Sequence, residues 1–155
     1  MLVYRIVHKK YSNALSASGM GGRWNPAGNK VIYCAESIAL AFLENMIRRQ
    51  GVGFNDDFKI MIISIPDNTK ITLVNSADLS PGWRDSTNYF QCQQLGNKWY
   101  GKGKTLLLKV PSAVLSEGFN FVINSQHDEY KKVKLIGSSD LIPDKRIEDI
   151  LKRYS

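Results

Sequence analysis

Cysteine is nearly absent: Cys34 and Cys92 stand alone, 58 positions apart. Two cysteines build neither a disulfide framework nor a zinc set, so both read as reduced, half-buried thiols. Histidine is as scarce. His8 and His127 are 119 positions apart, with no other His or Cys at ligand spacing, so no metal site is expected. No apolar run approaches the roughly 18 residues that a membrane helix needs. Arg5 interrupts the stretch where a signal peptide needs its apolar core. These absences predict a cytoplasmic chain with no membrane role. There is no internal repeat and no low-complexity segment. No GxSxG or GxGxxG is present, which excludes a nucleophile elbow and a dinucleotide fingerprint.

What is present is ordinary for one globular domain over residues 1–155, with 43% hydrophobic residues. Basic residues number 21 and acidic residues 14, for a formal charge of +7. That excess favours an anionic partner: a small molecule, a nucleic acid or another protein. The charge is uneven. Residues 1–50 carry seven basic and two acidic side chains, 51–100 carry four and five, and 101–155 carry ten and seven. Basic and apolar residues alternate throughout, so no segment reads as a basic tail.

Alternation over residues 2–7 and short apolar runs over 31–34, 59–65, 71–74, 105–110, 119–124 and 133–136 predict seven strands. A helix is predicted from the N-cap Ser37 to a stop at Gly51, after Arg48 and Arg49. Apolar residues surround nearly all of it, which predicts a well-buried helix. A second helix is expected over 86–100 and a short one over 144–153. Residues 12–19 have room for a helical turn. Strands outnumber helices without regular alternation, so the fold class is α+β with a mixed or antiparallel sheet.

A few residues are candidates for chemistry. Arg5 lies on a strand face with Val3 and Val7, and the other face is apolar too. A guanidinium so placed needs an acidic or phosphate partner, so a structural salt bridge and an anion site compete. Gly21-Gly22-Arg23 lets backbone approach a ligand with an arginine at hand. Gly101-Lys102-Gly103-Lys104 lacks P-loop spacing and reads as a basic turn. Glu44 is the odd residue of its helix: an i,i+4 partner of Arg48, or a carboxylate presented to a cleft. Ser112 follows Pro111 at a strand end, as a turn hydroxyl or a site residue.

Eight separated motifs then form a pattern. They are Tyr4-Arg5-Ile6, Gly21-Gly22-Arg23-Trp24-Asn25-Pro26-Ala27-Gly28, Val31-Ile32-Tyr33 and Ala39-Leu40-Ala41-Phe42-Leu43-Glu44. Further on come Pro81-Gly82-Trp83, Leu95-Gly96-Asn97-Lys98-Trp99, Val110-Pro111-Ser112-Ala113-Val114 and Asn120-Phe121-Val122-Ile123-Asn124-Ser125-Gln126-His127. The chain resembles the RES domain family over about residues 2–150. Ser125 and Asp128 stand where that family commonly has proline.

The resemblance implies a single domain with a split sheet, ADP-ribosyltransferase-like in fold. It implies the toxin of a bacterial toxin–antitoxin pair that depletes NAD⁺ by hydrolysis or phosphorolysis, or that ADP-ribosylates a protein. NAD⁺ is then a substrate, and no separate cofactor is expected. The implied partner is an antitoxin with an Xre-like helix-turn-helix domain, and a homodimer is a family-level expectation. Carried over residue by residue, Arg23, Glu44 and Tyr33 become catalytic candidates. Arg5, Ser112, Asn120, Asn124 and His127 become substrate-binding candidates.

These roles suit the chemistry. Breaking the nicotinamide–ribose bond builds an oxocarbenium-like ribose that a carboxylate such as Glu44 stabilises. Arginines such as Arg5 and Arg23 match a pyrophosphate bidentately. Tyr33 suits stacking on nicotinamide, and Ser112 a hydrogen bond to ribose or amide. A basic nucleic-acid-binding module is the competing class, using Trp83 and Trp99. The chain lacks an RNP-like motif, a helix-turn-helix pattern and a clustered basic stripe, so direct nucleic-acid binding is not expected.

Overall fold

The seven apolar segments form seven strands in the computed structural model, which describes residues 1–50 and 56–154. In chain order they are β1 (Leu2–His8), β2 (Val31–Ala35), β3 (Phe58–Ser64), β4 (Ile71–Leu73), β5 (Leu107–Pro111), β6 (Phe119–Asn124) and β7 (Lys134–Asp140). Three helices accompany them: α1 (Ile38–Arg48), α2 (Phe90–Lys102) and α3 (Lys145–Tyr154). The sheet runs β4-β5-β6-β2-β1-β3-β7. Every pairing is antiparallel except β4 with β5, so the sheet is mixed, as the α+β reading expects.

The sheet is nearly cut in two. β1 pairs with β3 along Leu2–His8, and β2 pairs with β6 along Val31–Ala35. Between β1 and β2 the register holds one pair, Tyr4 with Ala35. Ala35 is the last residue of β2, and the rest of that strand stays unpaired with β1, which leaves the sheet split near its middle.

Alternation along the strands builds the core on both faces. One face carries Val3, Ile32, Cys34, Met61, Ile63, Leu107, Phe121 and Ile123, with Leu15, Ala17 and Tyr130 packed against it. The other face carries two clusters. Near α2 sit Trp24, Val31, Trp99, Leu108, Val110 and Val122; near α1 sit Ile6, Ala35, Leu40, Ala41 and Ile60. Burial of each large aliphatic side chain stabilises by roughly 1.5–3 kcal/mol.

The Ser37 hydroxyl accepts from the Leu40 N–H and starts α1, as the sequence predicts. Burial of α1 is narrower than its composition suggests. Only Leu40 and Ala41 are fully buried, and Ile38 and Ile47 are exposed. One stripe of the helix meets β1 and β2; the next stripe, with Glu44, Asn45 and Arg48, faces the split. The predicted stop at Gly51 lies outside the described residues.

Other boundaries shift for local reasons. α2 begins at Phe90 rather than 86, because Asp85 accepts from both Thr87 N–H and Thr87 hydroxyl at 2.8 Å and holds a turn. Gly103, at φ +60°, ends it. Residues 12–19 are irregular, and a 3₁₀ turn spans Lys9–Tyr11 instead. β7 extends to Asp140 through Gly137 and two serines, poor strand formers held there by pairing with β3. Among the described residues, no helix is long and apolar enough to cross a membrane.

Candidate active site

The split between β1 and β2 opens a cleft of about 470 Å³, counting the part open to solvent. β1 supplies Tyr4 and Arg5, β2 supplies Tyr33, α1 supplies Glu44 and Arg48, and β6 supplies Asn120. Four of the predicted site residues thus meet in one place, although they are spread over 116 positions.

Glu44 is held by one oxygen. Its Oε1 accepts from the Ser112 hydroxyl at 2.7 Å and from Asn120 Nδ2 at 2.6 Å. Its Oε2 has no hydrogen-bond partner among the described residues. The carboxylate is therefore fixed in orientation with one oxygen left for a ligand. The predicted alternative, a Glu44–Arg48 pair, is not formed.

Ser112 is completely buried, and its hydroxyl is saturated. Besides donating to Glu44, it accepts from the N–H groups of Val114 and Leu115, both at 3.1 Å. A hydroxyl has one proton and two lone pairs, so none remains for a ribose. Ser112 holds the carboxylate and the turn after β5 together. Asn120 is the reverse: its amide N–H donates to Glu44 while its buried Oδ1 has no partner.

Tyr33 is tied into the segment before it. Its hydroxyl accepts from Trp24 N–H at 3.0 Å and donates to Asn25 Oδ1. Burial pushes its pKa up to about 12, so the phenol keeps its proton. A Cβ on Gly22 would come within 2.8 Å of this hydroxyl, which explains the glycine. Arg23 does not line the cleft. Its guanidinium donates to the carbonyls of Trp83, Arg84 and Asp85 and lies 4.5 Å from the Tyr89 ring centroid. It staples the loop before α2 to the segment that holds Tyr33.

Arg5 finds no carboxylate. Among the described residues it makes no ion pair, and the titratable groups that act on it are Arg48, Cys34 and Tyr130, of which only Arg48 is charged near neutral pH. Burial lowers its pKa most, and Arg48 lowers it further, while Cys34 and Tyr130 act the other way. The salt-bridge reading of Arg5 thus fails, and the anion-site reading keeps its physical basis. The Cys34 thiol, fully buried, is pushed up to about 12 and stays protonated.

The RES domain model matches residues 2–144, nearly the whole chain. This chain belongs to the RES domain family. "Toxin Res" of Yersinia enterocolitica serotype O:8 / biotype 1B is 30% identical over 135 residues, which cover 84% of this chain and 88% of that protein. The "Prs ADP-ribosylating toxin" of Sphingobium sp. (strain YBL2) is 31% identical over 116 residues, 74% of this chain and 72% of that one. A chain of the M. tuberculosis MbcT–MbcA toxin–antitoxin complex superposes with a TM-score of 0.74 at 22% identity, covering 98% of this chain and 88% of that chain. That last likeness establishes the fold.

Besides Arg23, two more of the predicted residues lie away from the cleft of this RES domain. Asn124 sits at the far end of β6, opposite Val31, and its Oδ1 accepts from Gln126 N–H at 2.9 Å. His127 Nδ1 accepts from Glu129 N–H and caps the 3₁₀ turn that follows. Both shape the turn after β6. Ser125, where the family commonly has proline, donates through both its N–H and its hydroxyl to the Lys30 carbonyl. A proline has neither donor, so here serine ties down the turn by hydrogen bonds instead. Among the described residues, no group of three His, Cys, Asp or Glu gathers as a metal site. Arg48 and Asn45 also line the cleft, beyond the residues that the sequence points to. The signal for Arg48 was its place one turn after Glu44, which reads in sequence as an ion pair.

Proposed function

We propose that this RES domain is the toxin of a toxin–antitoxin pair and cleaves the nicotinamide–ribose bond of NAD⁺. The observation that carries the reading is the Glu44 carboxylate, gripped through Oε1 by Ser112 and Asn120 and unbonded at Oε2 beside Arg5, Arg48 and Tyr33. The C–N bond breaks with its electron pair passing to the nicotinamide nitrogen, which leaves neutral. The ribose becomes oxocarbenium-like, and Glu44 stabilises that charge. Water or phosphate then attacks the anomeric carbon; with water the products are ADP-ribose, nicotinamide and a proton. Tyr33 walls the cleft, and Arg23 maintains that wall. The test is nicotinamide release from NAD⁺ by purified protein, with and without phosphate. Release lost in Glu44→Gln supports the reading; wild-type protein that releases none overturns it.

A second reading keeps the site and changes the acceptor to a protein side chain. The similarity to a protein named an ADP-ribosylating toxin favours it. Labelled NAD⁺ in lysate separates the two: label on a protein band marks transfer, and label confined to small molecules marks degradation. The proposed partner is an antitoxin with an Xre-like helix-turn-helix domain, in keeping with a fold neighbour that comes from a toxin–antitoxin complex. A basic surface suits an acidic antitoxin face. Co-purification with a small helix-turn-helix protein from the neighbouring reading frame tests the pairing, and light scattering tests the expected homodimer.

A further inference from the structure

The turn that holds Glu44 is itself held from outside the cleft. β5 ends at Pro111, and the chain turns through Ser112 and Gly118 into β6. Gly118 lies against α1, where a Cβ would come within 2.9 Å of Leu40 Cδ2, one helical turn before Glu44. The carbonyls of Ala113 and Val114, in the same turn, accept from a distant arginine. Arg84 donates through Nε to Ala113 at 2.9 Å and through Nη2 to Val114 at 3.4 Å. A guanidinium suits this task, because its rigid fork of donors reaches two adjacent carbonyls at once.

Arg84 is exposed, yet its backbone is fixed. Arg23 donates to the carbonyls of Trp83, Arg84 and Asp85, and the buried Trp83 ring packs against Trp24. A continuous run of contacts thus leads from Arg23, through residues 83–85 and the Arg84 side chain, to the turn after β5. From there the Ser112 hydroxyl donates to Glu44 Oε1 at 2.7 Å. The turn closes by its own bonds: Ser112 N–H donates to the Gly118 carbonyl, Gly118 N–H to the Leu115 carbonyl, and Val114 and Leu115 N–H to Ser112 Oγ. What Arg84 adds is the place of that turn relative to the loop before α2.

We propose that Arg84 is a positioning residue for Glu44: it joins the loop held by Arg23 to the turn of Ser112 and so fixes where the open carboxylate oxygen stands. This rests on the reading of Glu44 as the stabilising carboxylate and extends it to a residue outside the cleft. It also gives Arg23, which does not line the cleft, a route to Glu44.

Four full-length variants test it: Arg84→Gln, Arg84→Lys, Ser112→Ala and the double variant of Arg84→Gln with Ser112→Ala. In Arg84→Gln, kcat for nicotinamide release should fall about tenfold with KM within about twofold, because only the orientation of the carboxylate is lost. The urea midpoint should hold, since the side chain is exposed. Arg84→Lys should recover part of kcat, as an ammonium replaces one of the two contacts. The double variant should be no slower than Ser112→Ala alone, because both losses run through one hydroxyl. The Asn120 side-chain amide, which donates to the same Glu44 oxygen, gives a readout that needs no turnover: its NMR signal should move in Arg84→Gln. Unchanged kcat, a loss that falls on KM, a midpoint that drops together with kcat, losses that multiply in the double variant, or an unmoved Asn120 signal each overturns the positioning role. Wild-type protein that releases no nicotinamide sinks the NAD⁺ reading instead, and the Asn120 signal then decides the role of Arg84 alone.

Discussion

Two hydrogen-bonded clusters stand on the helix-covered side of the sheet, and they differ in what they leave over. One joins Asn25, Tyr33, Trp24 and Gln93. Asn25 is buried; its Nδ2 donates to the carbonyls of Met20, Pro26 and Asn29, and its Oδ1 accepts from Tyr33. Gln93 Nε2 donates to the Gly22 carbonyl at 2.8 Å. This cluster closes on itself and fixes a loop. The other joins Glu44, Ser112 and Asn120 at the split. It ends with an unbonded carboxylate oxygen and a buried, unpartnered amide oxygen. An unmet buried acceptor costs about 1–3 kcal/mol. The molecule tolerates that cost where a substrate donor is to come, and avoids it where the task is structural.

The sharpest break of the comparison is Glu44→Gln. The amide oxygen can still accept from Ser112 and Asn120, so the unfolding midpoint should hold. Nicotinamide release should fall about 10²–10³-fold, as when charge stabilisation at a transition state is removed. Parallel losses of stability and activity would mean that the open cluster is as structural as the closed one. Asn25→Ala attacks the closed cluster. It strands the Met20 and Asn29 carbonyls and the Tyr33 hydroxyl proton, and should cost about 3 kcal/mol in urea unfolding. A cost under about 1 kcal/mol would show that water replaces the side chain.

Asn120→Ala is the discriminating intermediate case. It removes one donor to the carboxylate and so should lower kcat about 10–100-fold. It also deletes the orphan acceptor, so stability should change little. Equal damage to both would place Asn120 with Asn25. The one effect expected to vanish near neutral pH is a pH dependence of stability. Tyr33 and Cys34 are both held as neutral acids, at about 12, above their ordinary values of 10.0 and 9.0. The unfolded chain therefore releases these protons first as pH rises. Their contribution is intact below about pH 9 and is lost as pH climbs toward 12. The urea midpoint should fall across that window, and less steeply in Cys34→Ala; a flat profile would contradict the burial argument.

Most of the fold was legible because it is local. Period-two alternation marks β1, short apolar runs mark the other strands, and Ser37 marks the start of α1. The errors came where a neighbour outweighed propensity: β7 runs through Gly137 and two serines because β3 pairs with them, and α2 starts late because Asp85 captures Thr87. α1 looked buried all round because composition does not say how much of a helix meets the sheet. The site was half legible. Glu44, Tyr33, Arg5 and Asn120 converge as the family pattern implies, whereas Asn124 and His127 fall at the other end of β6. Asn120 and Asn124 stand four positions apart on a six-residue strand, so neighbours in a motif stand toward its opposite ends.

By itself, then, the sequence determined which segments become strands and helices, the family, and the residue types of a carboxylate-and-arginine site. Those follow from periodicity and from residue identity at each position. Only the tertiary structure decided what each polar group does, because hydrogen-bond capacity is shared in space. Ser112 is spent on Glu44 and its own turn, and Arg23 on three carbonyls of a distant loop. Arg48, which in sequence reads as the partner of Glu44, lines the cleft without that ion pair, since Ser112 after β5 and Asn120 on β6 reach the carboxylate instead.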